Sequence, residues 1–200
     1  MTELLRSFST PIYLSEIKGS TFDNVQEEIS SCIDKLDFNM NDDWGKTHFM
    51  SDINFTEHMF GKHSLTHLMD AIDRHLKRYM KEIGYEPMQE YHYDSSWVAL
   101  FEKGNYGHIH DHGAVDISGV YYHKTNGKDG NIFFESPNTN LASSLPFSHL
   151  SNSMTCEPKE GRILLFPGWL KHGIKMNETD DTRISLSFNI YFNNERHGKN

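Results

Sequence analysis

Positive charge and cysteine are both scarce in this sequence of 200 residues. It contains 19 lysines and arginines against 28 acidic residues, a net charge of −9, which argues against a broad basic surface for duplex nucleic acid or an anionic membrane. Only two cysteines are present, Cys32 and Cys156, and neither belongs to a CxxC or CxxH motif. We therefore expect two ordinary reduced thiols.

Long apolar runs are also absent. The first seventeen residues contain no stretch of the length that a signal peptide requires, and nothing elsewhere approaches a membrane span. The expected location is therefore the cytoplasm. With 36% hydrophobic residues, 14 glycines and 6 prolines, the composition is that of a globular domain rather than a fibrous or wholly disordered chain. The length suits a single domain spanning residues 1–200.

Helical periodicity is confined to the first half of the chain. Apolar residues between positions 22 and 36 recur at helical spacing after Ser20 or Thr21, either of which can cap a helix of about 16 residues. A second amphipathic helix is predicted from Ser64 to just before Gly84. Residues 1–86 are therefore expected to form a helical region that packs against the rest of the domain.

From Met88 onward the pattern changes to short segments rich in β-branched and aromatic residues, separated by turn sequences. The segments are EYHYDSSWVALF, HIHDH, ISGVYYHK, NIFFE, RILLFP and TRISLSFNIYF. Because no helices intervene, these strands are expected to pair antiparallel in a barrel or jelly roll. The fold class is thus mostly β, with flanking N-terminal α-helices and a β-core over residues 87–193.

Histidine is abundant, with 13 residues, and three of them alternate in the segment GHIHDHG. Alternate residues of a strand face the same side, so His108, His110 and His112 would line one surface about 6.6 Å apart. Two neighbouring imidazoles at that spacing can bind one metal ion. The same pattern also fits a polar or solvent-exposed strand face, and both interpretations stay open at this point.

Two later residues could complete a site. His172 follows an apolar strand and a Pro-Gly turn, and Arg183 opens the last strand. In that strand Ile184 to Phe192 alternate as an apolar face, whereas the other face carries Arg183 followed by serine, asparagine and tyrosine. Such a face can be an ordinary wet surface, or it can line a lumen in which the arginine binds a carboxylate.

Three blocks in this order resemble a family of 2-oxoglutarate/iron(II) oxygenases known mostly from bacteria and phages. The blocks are HDHGAVDISGVYY from His110 to Tyr122, GRILLFPGWLKH from Gly161 to His172, and RISLSFN from Arg183 to Asn189. The resemblance covers roughly residues 88–192. It implies that the β-core is a double-stranded β-helix, the cupin-like form of the jelly roll.

The resemblance also implies roles for individual residues. The metal ligands, which carry the catalysis, would be His110, His112 and His172. The residues around the cosubstrate would be Arg183, on the far carboxylate of 2-oxoglutarate, with Ser185, Asn189 and Tyr122. For Tyr122, aromatic packing is the preferred interpretation.

The implied function is a dioxygenase that uses Fe(II), 2-oxoglutarate and O2, hydroxylates an unidentified substrate, and releases succinate and CO2. His112 stands where the common facial triad has a carboxylate. Asp116 or Glu135 could supply a carboxylate if the strand bends. Two alternatives remain: a cupin-type three-histidine dioxygenase without the cosubstrate, and a noncatalytic jelly-roll module that binds a structural metal such as zinc.

The substrate class is expected to be a small molecule or a peptide, with neither duplex nucleic acid nor a membrane as partner. Substrate contacts are expected from the polar loop between Pro137 and Asn152 and from the segment between Trp44 and Phe60. The oligomeric state is left open by the sequence.

Overall fold

The fold is taken from a computed structural model, which describes residues 9–40, 42, 45–51, 53, 58–143, 145–146, 148 and 153–192. Three α-helices occur in this part of the chain: α1 (Gly19–Ile33), α2 (Met59–Lys62) and α3 (Thr66–Glu82). None of the described helices is both long enough and apolar enough to cross a membrane. Cys32 and Cys156 are buried free thiols.

The two long helices begin at different residues from those predicted. Helix α1 starts at Gly19, and its N-cap Lys18 makes no side-chain capping bond, so neither Ser20 nor Thr21 caps it. Helix α3 starts two residues after Ser64, because its N-terminus is capped from another helix. The Glu28 carboxylate of α1 accepts hydrogen bonds from the backbone N–H groups of His67 and Leu68, both at 3.0 Å.

The strands of the described region form two antiparallel sheets. The larger sheet has the order β1 (Tyr13–Glu16), β9 (Arg162–Pro167), β6 (Ile117–Lys124), β11 (Arg183–Phe192), β4 (Tyr91–Phe101), β3 (Phe49–Ser51), β2 (Phe38–Met40). The smaller sheet has the order β5 (Gly107–His110), β10 (His172–Ile174), β7 (Ile132–Phe134), β8 (Met154–Cys156). This antiparallel two-sheet arrangement confirms the predicted jelly roll.

The two faces of the larger sheet have different partners. On one face, Leu186, Phe188 and Ile190 pack with the buried sides of α1 and α3, which confirms the predicted place of the helices. On the other face, Arg183 and Ser185 point into the space between the sheets. The alternation predicted for β11 is thus confirmed, and it separates a helix-covered core from a cavity.

The N-terminal region is less exclusively helical than the sequence indicates, since it also supplies β1, β2 and β3 to the larger sheet. Strand β1 pairs with β9, although the two strands lie far apart in the sequence; Tyr13 lies opposite Leu165. Strands of three or four residues are too short to show a reliable period. The division into a support region over residues 1–86 and a core over 87–193 stays a prediction.

Candidate metal and carboxylate site

Three histidines meet where the smaller sheet ends. His110, the last residue of β5, lies directly opposite His172, the first residue of β10. Strand β5 stops before His112, which was predicted to lie on it; the backbone N–H of His112 instead donates to the carbonyl of Gly168 at 2.8 Å. This turn brings the third imidazole beside the other two, with ring centroids of His110 and His112 5.1 Å apart.

The separation of the nitrogens suits a metal ion. One possible ligand atom from each histidine lies within 4.8 Å of the others, and the Nε2 atoms of His112 and His172 are 3.4 Å apart. Two nitrogens that each bind a metal at about 2.1 Å are about 3–3.5 Å apart in octahedral or tetrahedral geometry. His112 and His172 already have this spacing, and His110 lies close enough for the three imidazoles to share one ion.

Backbone carbonyls orient two of the ligands. Nδ1 of His110 is 2.8 Å from the carbonyl oxygen of His108, and Nδ1 of His172 is 2.9 Å from that of Leu170. Since a carbonyl can only accept, each Nδ1 carries the proton and each Nε2 keeps its lone pair for a metal. Outer contacts of this kind fix the tautomer and the ring direction.

Burial keeps these imidazoles neutral. It lowers the pKa of His112 to about 3, with help from His172 and His110, and the pKa of His172 to about 4, with help from His110. It also lowers the pKa of His110. A neutral imidazole is the form that binds a metal, so the ligands are in the required state at neutral pH.

No carboxylate joins this group among the described residues, where the only cluster with metal-ligand spacing is His110, His112 and His172. Asp116 instead accepts a hydrogen bond from the backbone N–H of Phe192 at 2.8 Å. Glu135, the other acidic residue considered from the sequence, is likewise absent from the cluster. The site is therefore built from three neutral nitrogen ligands.

Arg183 is the largest fully buried side chain of the described region. Its guanidinium carbon lies 4.0 Å from the centroid of the Phe101 ring and 5.8 Å from that of Tyr122. Its Nη1 donates to the carbonyl of Gly130 at 2.6 Å, but Nε and Nη2 are buried without a hydrogen-bond partner. Burial lowers the pKa of Arg183, although arginine keeps its proton in proteins.

Two unpaired donors on a buried cation are costly, and a bound carboxylate would satisfy both. Arg183 and the three histidines line the same partly open cavity of about 60 Å³. Most of its walls are apolar, formed by side chains that include Met50, Trp97, Val120, Ile132, Phe166 and Ile174. The donor set thus fits a metal ion together with a small dicarboxylate shielded from water.

The cavity includes most of the residues predicted for the cosubstrate. Ser185 and Tyr122 line it and are almost fully buried. Asn189 is buried but does not line it, because its side-chain amide is hydrogen bonded to Ser118 and Ser95. The roles of Arg183 and of these three residues stay predictions.

Sequence reasoning did not single out Trp97 or His48, two aromatic residues of the cavity wall, although His48 lies within the segment 44–60 expected to contact substrate. Trp97 lies beside His112, with ring centroids 6.1 Å apart. His48 stacks on Phe101 at 4.4 Å, and burial, followed by Arg183, lowers the pKa of His48 to about 4. The alternation of Trp97, Ala99 and Phe101 along β4 could have indicated the first, whereas nothing local marks His48.

The segments expected to contact substrate have mixed outcomes. Between positions 44 and 60, His48 and Met50 line the cavity, but Phe60 is fully buried in the helix-side core. Trp44 lies outside the described residues. Of the loop 137–152, only 137–143, 145, 146 and 148 are described, and none of these lines the cavity.

Comparisons with known proteins show similarity to oxygenases in sequence and in fold. Residues 95–189 match the model of the family described as "Putative 2OG-Fe(II) oxygenase". No curated protein matches the chain. A 2OG-Fe(II) oxygenase-family oxidoreductase from Burkholderia pseudomallei shares 12% identity, a TM-score of 0.60, and coverage of 88% of this chain and 92% of that one.

Two further structures have the same fold. A prolyl-4-hydroxylase from Pseudomonas putida has 12% identity, a TM-score of 0.60, and coverage of 93% and 95% of the two chains. HygX from Streptomyces hygroscopicus, solved with nickel, 2-oxoglutarate and hygromycin B, has 14% identity, a TM-score of 0.58, and coverage of 90% and 82%.

The protein is a jelly roll in which a three-histidine cluster and a buried arginine share one cavity. This combination is the one expected from the sequence for a metal-dependent oxygenase. Residues 95–189, which match the 2OG-Fe(II) oxygenase family model, include all the candidate site residues except His48 and Met50. The protein is therefore an enzyme that depends on Fe(II) and 2-oxoglutarate, and this confirms the function and cofactors predicted from the sequence.

Proposed function

We propose that His110, His112 and His172 hold Fe(II), and that Arg183 binds the far carboxylate of 2-oxoglutarate in a reaction that hydroxylates a small molecule or a peptide. The observation that carries this assignment is that two buried nitrogens of Arg183, Nε and Nη2, have no hydrogen-bond partner in the cavity that the three histidines also line. When bound, Fe(II) and 2-oxoglutarate supply the oxidising chemistry, with O2 as oxidant and succinate and CO2 as products.

The protein's own contribution is binding, orientation and shielding. Neutral His110 and His172 are held with Nε2 toward the ion by the carbonyls of His108 and Leu170. Three neutral ligands leave the ion its full positive charge, which attracts the anionic 2-oxo acid end of the cosubstrate, while Arg183 balances the charge of its far carboxylate. Apolar walls around the cavity exclude water and strengthen both contacts.

The other predicted contacts extend this assignment. Ser185 lies two residues after Arg183 on the same face of β11, and Tyr122 lies across from Ser185 on β6, so both can contact the bound cosubstrate. Asn189 lies six residues further along β11 than Arg183 and is hydrogen bonded to Ser118 and Ser95, so we assign it an indirect role rather than a contact with the cosubstrate. A peptide or small-molecule substrate accords with the name of the Pseudomonas putida prolyl-4-hydroxylase and with the hygromycin B bound to HygX. A cytoplasmic, single-domain enzyme with a helical support region completes the proposal.

Anaerobic titration with Fe(II) and 2-oxoglutarate tests this assignment. The wild-type protein is expected to develop a visible charge-transfer band, and then to release succinate once O2 is admitted, even without its substrate. A protein that binds neither ferrous ion nor 2-oxoglutarate would contradict the proposal.

A further inference from the structure

A chain of polar side chains crosses the larger sheet on its cavity side. The Ser118 hydroxyl donates to Oδ1 of Asn189 at 2.8 Å, Nδ2 of Asn189 donates to the Ser95 hydroxyl at 3.0 Å, and that hydroxyl donates to Oδ2 of Asp94 at 3.1 Å. Ser118, Asn189 and Ser95 are at most 6% exposed. These three residues face one another in register on β6, β11 and β4.

An irregularity in strand β4 places Asp94 at the end of this chain. Asn189 pairs with Ser95 and Ile190 with Tyr93, so Asp94 is an extra residue between them. Such a bulge redirects a side chain, and here it brings Asp94 onto the same side as Ser95. In an unbroken strand the two neighbours would face opposite sides.

The carboxylate determines the direction of every hydrogen bond in the chain. An ionised carboxylate only accepts, so Ser95 must give its single hydrogen to Asp94. Ser95 then accepts from Asn189, which turns the amide NH2 toward Ser95 and the amide oxygen toward Ser118. Ser118 must in turn donate its own hydrogen to Asn189. Its hydroxyl is left with lone pairs only, and Ser118 lines the cavity.

Ser118 lies too far from Arg183 to contact a cosubstrate held there. It pairs with Asn189, six residues along β11 from Arg183, a distance of about 20 Å at about 3.3 Å per residue. The four C–C bonds of 2-oxoglutarate, each about 1.5 Å, span at most about 6 Å. The arginine side chain adds a comparable length, and the sum still falls short of Ser118.

We infer that Ser118 is a substrate-binding residue that accepts a hydrogen bond from the primary substrate, and that Asn189, Ser95 and Asp94 are positioning residues that make it an acceptor. The inference rests on the proposed function for the identity of the cosubstrate. It assigns the substrate to compounds or peptides with an N–H or O–H donor near the carbon to be hydroxylated. A substrate that offers only an acceptor there would leave two facing lone pairs unpaired.

A matched pair of small probes tests this acceptor directly. N-methylacetamide carries one N–H donor, and N,N-dimethylacetamide has the same carbonyl without the donor. Each is titrated into the full-length protein, with Zn(II) and 2-oxoglutarate and without them, while NMR follows the backbone amides around Ser118. The wild type is expected to bind the donor-bearing probe about 2- to 10-fold more tightly, which is the effect of one neutral hydrogen bond.

Variants distinguish the effect of the hydrogen-bonded side chains from the effect of the rest of the cavity wall. In Ser118→Ala the two probes are expected to bind equally. In Asp94→Ala the preference is expected to shrink, since the serine hydrogens are free to reverse. Ser187→Ala is the control because Ser187 lines the cavity on β11 with no hydrogen bond to this chain, and it should keep the wild-type ratio.

Equal affinities in the wild type, or an unchanged ratio in Ser118→Ala, would overturn the inference. Failure of this inference can be distinguished from failure of the proposed function. If the proposed function is wrong, the protein will bind neither 2-oxoglutarate nor the metal. The probe ratio can still be measured in that case, because the titration without metal reports on Ser118 alone. The Asp94→Ala variant lies at the partly exposed end of the chain, so it keeps the test available if a buried variant fails to fold.

Discussion

The two sheets make different contributions to the site. The smaller sheet supplies the metal ligands from the ends of two strands of four and three residues, with His112 on the turn that follows β5. The larger sheet supplies Arg183 from the start of a ten-residue strand that is paired on both sides. Each histidine is held by one or two backbone contacts, whereas the arginine is enclosed by rings and by the Gly130 carbonyl.

This difference implies that metal binding and cosubstrate binding can be changed separately. The metal ligands depend on the register between β5 and β10, which places His110 opposite His172. The carboxylate site depends on the packing of Arg183 between Phe101 and Tyr122. A change in the smaller sheet should therefore affect metal binding far more than cosubstrate binding, and a change in the larger sheet should do the reverse.

The largest effect is expected from the smaller sheet. His172→Ala removes one of three ligands, so Fe(II) binding and succinate release should both fall to background. His67→Ala, on the exposed surface of α3, is the matched control and should behave as the wild type. Ferrous titration and succinate assays measure this, and Fe(II)-dependent turnover in His172→Ala would contradict the metal assignment.

The next effect concerns the larger sheet. Arg183→Met should raise the KM for 2-oxoglutarate at least about 100-fold, because loss of a buried charge partner costs about 3–5 kcal/mol. Fe(II) affinity measured without cosubstrate should be unchanged. Arg78→Met, on the exposed side of α3, controls for the loss of a positive charge. An equal loss of metal and cosubstrate binding would refute the separation of metal binding from cosubstrate binding.

A smaller effect is expected from the packing around the arginine. Phe101→Leu removes the ring that lies 4.0 Å from the guanidinium, an interaction of about 1–2 kcal/mol in a desolvated setting. The KM for 2-oxoglutarate should rise about 5- to 30-fold with little change in kcat. Phe133→Leu, outside the cavity on β7, serves as the control; similar KM values in both variants would count against this role of Phe101.

The smallest effect concerns the pH dependence of stability on the helix-covered side. Burial, with a smaller effect from Lys124, lowers the pKa of His123 to about 4, and its ring contacts Gln26 of α1. Between pH 6.5 and 4 the unfolded chain binds a proton that the folded chain excludes. The contribution of His123 to stability is thus fully present above pH 6.5 and is lost as the pH falls toward 4.

Urea denaturation across this pH range, comparing the wild type with His123→Gln, measures the effect. The variant should show a shallower loss of stability on acidification, while the Fe(II) and 2-oxoglutarate affinities at pH 7.5 stay the same. Identical pH profiles would show that His123 does not contribute.

Much of the fold could be predicted because its signals are local. The alternation along β11 separates Leu186 and Phe188 from Arg183 and Ser185, and the helical period marks α1 and α3. Strands β1, β2, β3, β8 and β10 have only three or four residues, too few to establish a period. Their pairing depends on distant partners, as when Tyr13 of β1 faces Leu165 of β9.

The sequence by itself, through three blocks that resemble the oxygenase family, indicated which residues could carry the chemistry, namely three histidines and one arginine. Only the tertiary structure decided that His112 reaches the metal site from a turn rather than from a strand, and that His48 and Trp97 line the cavity. It also decided that the amide of Asn189 faces two serines. These outcomes depend on strand register and on a bulge at Asp94, which arise from contacts between residues far apart in the chain.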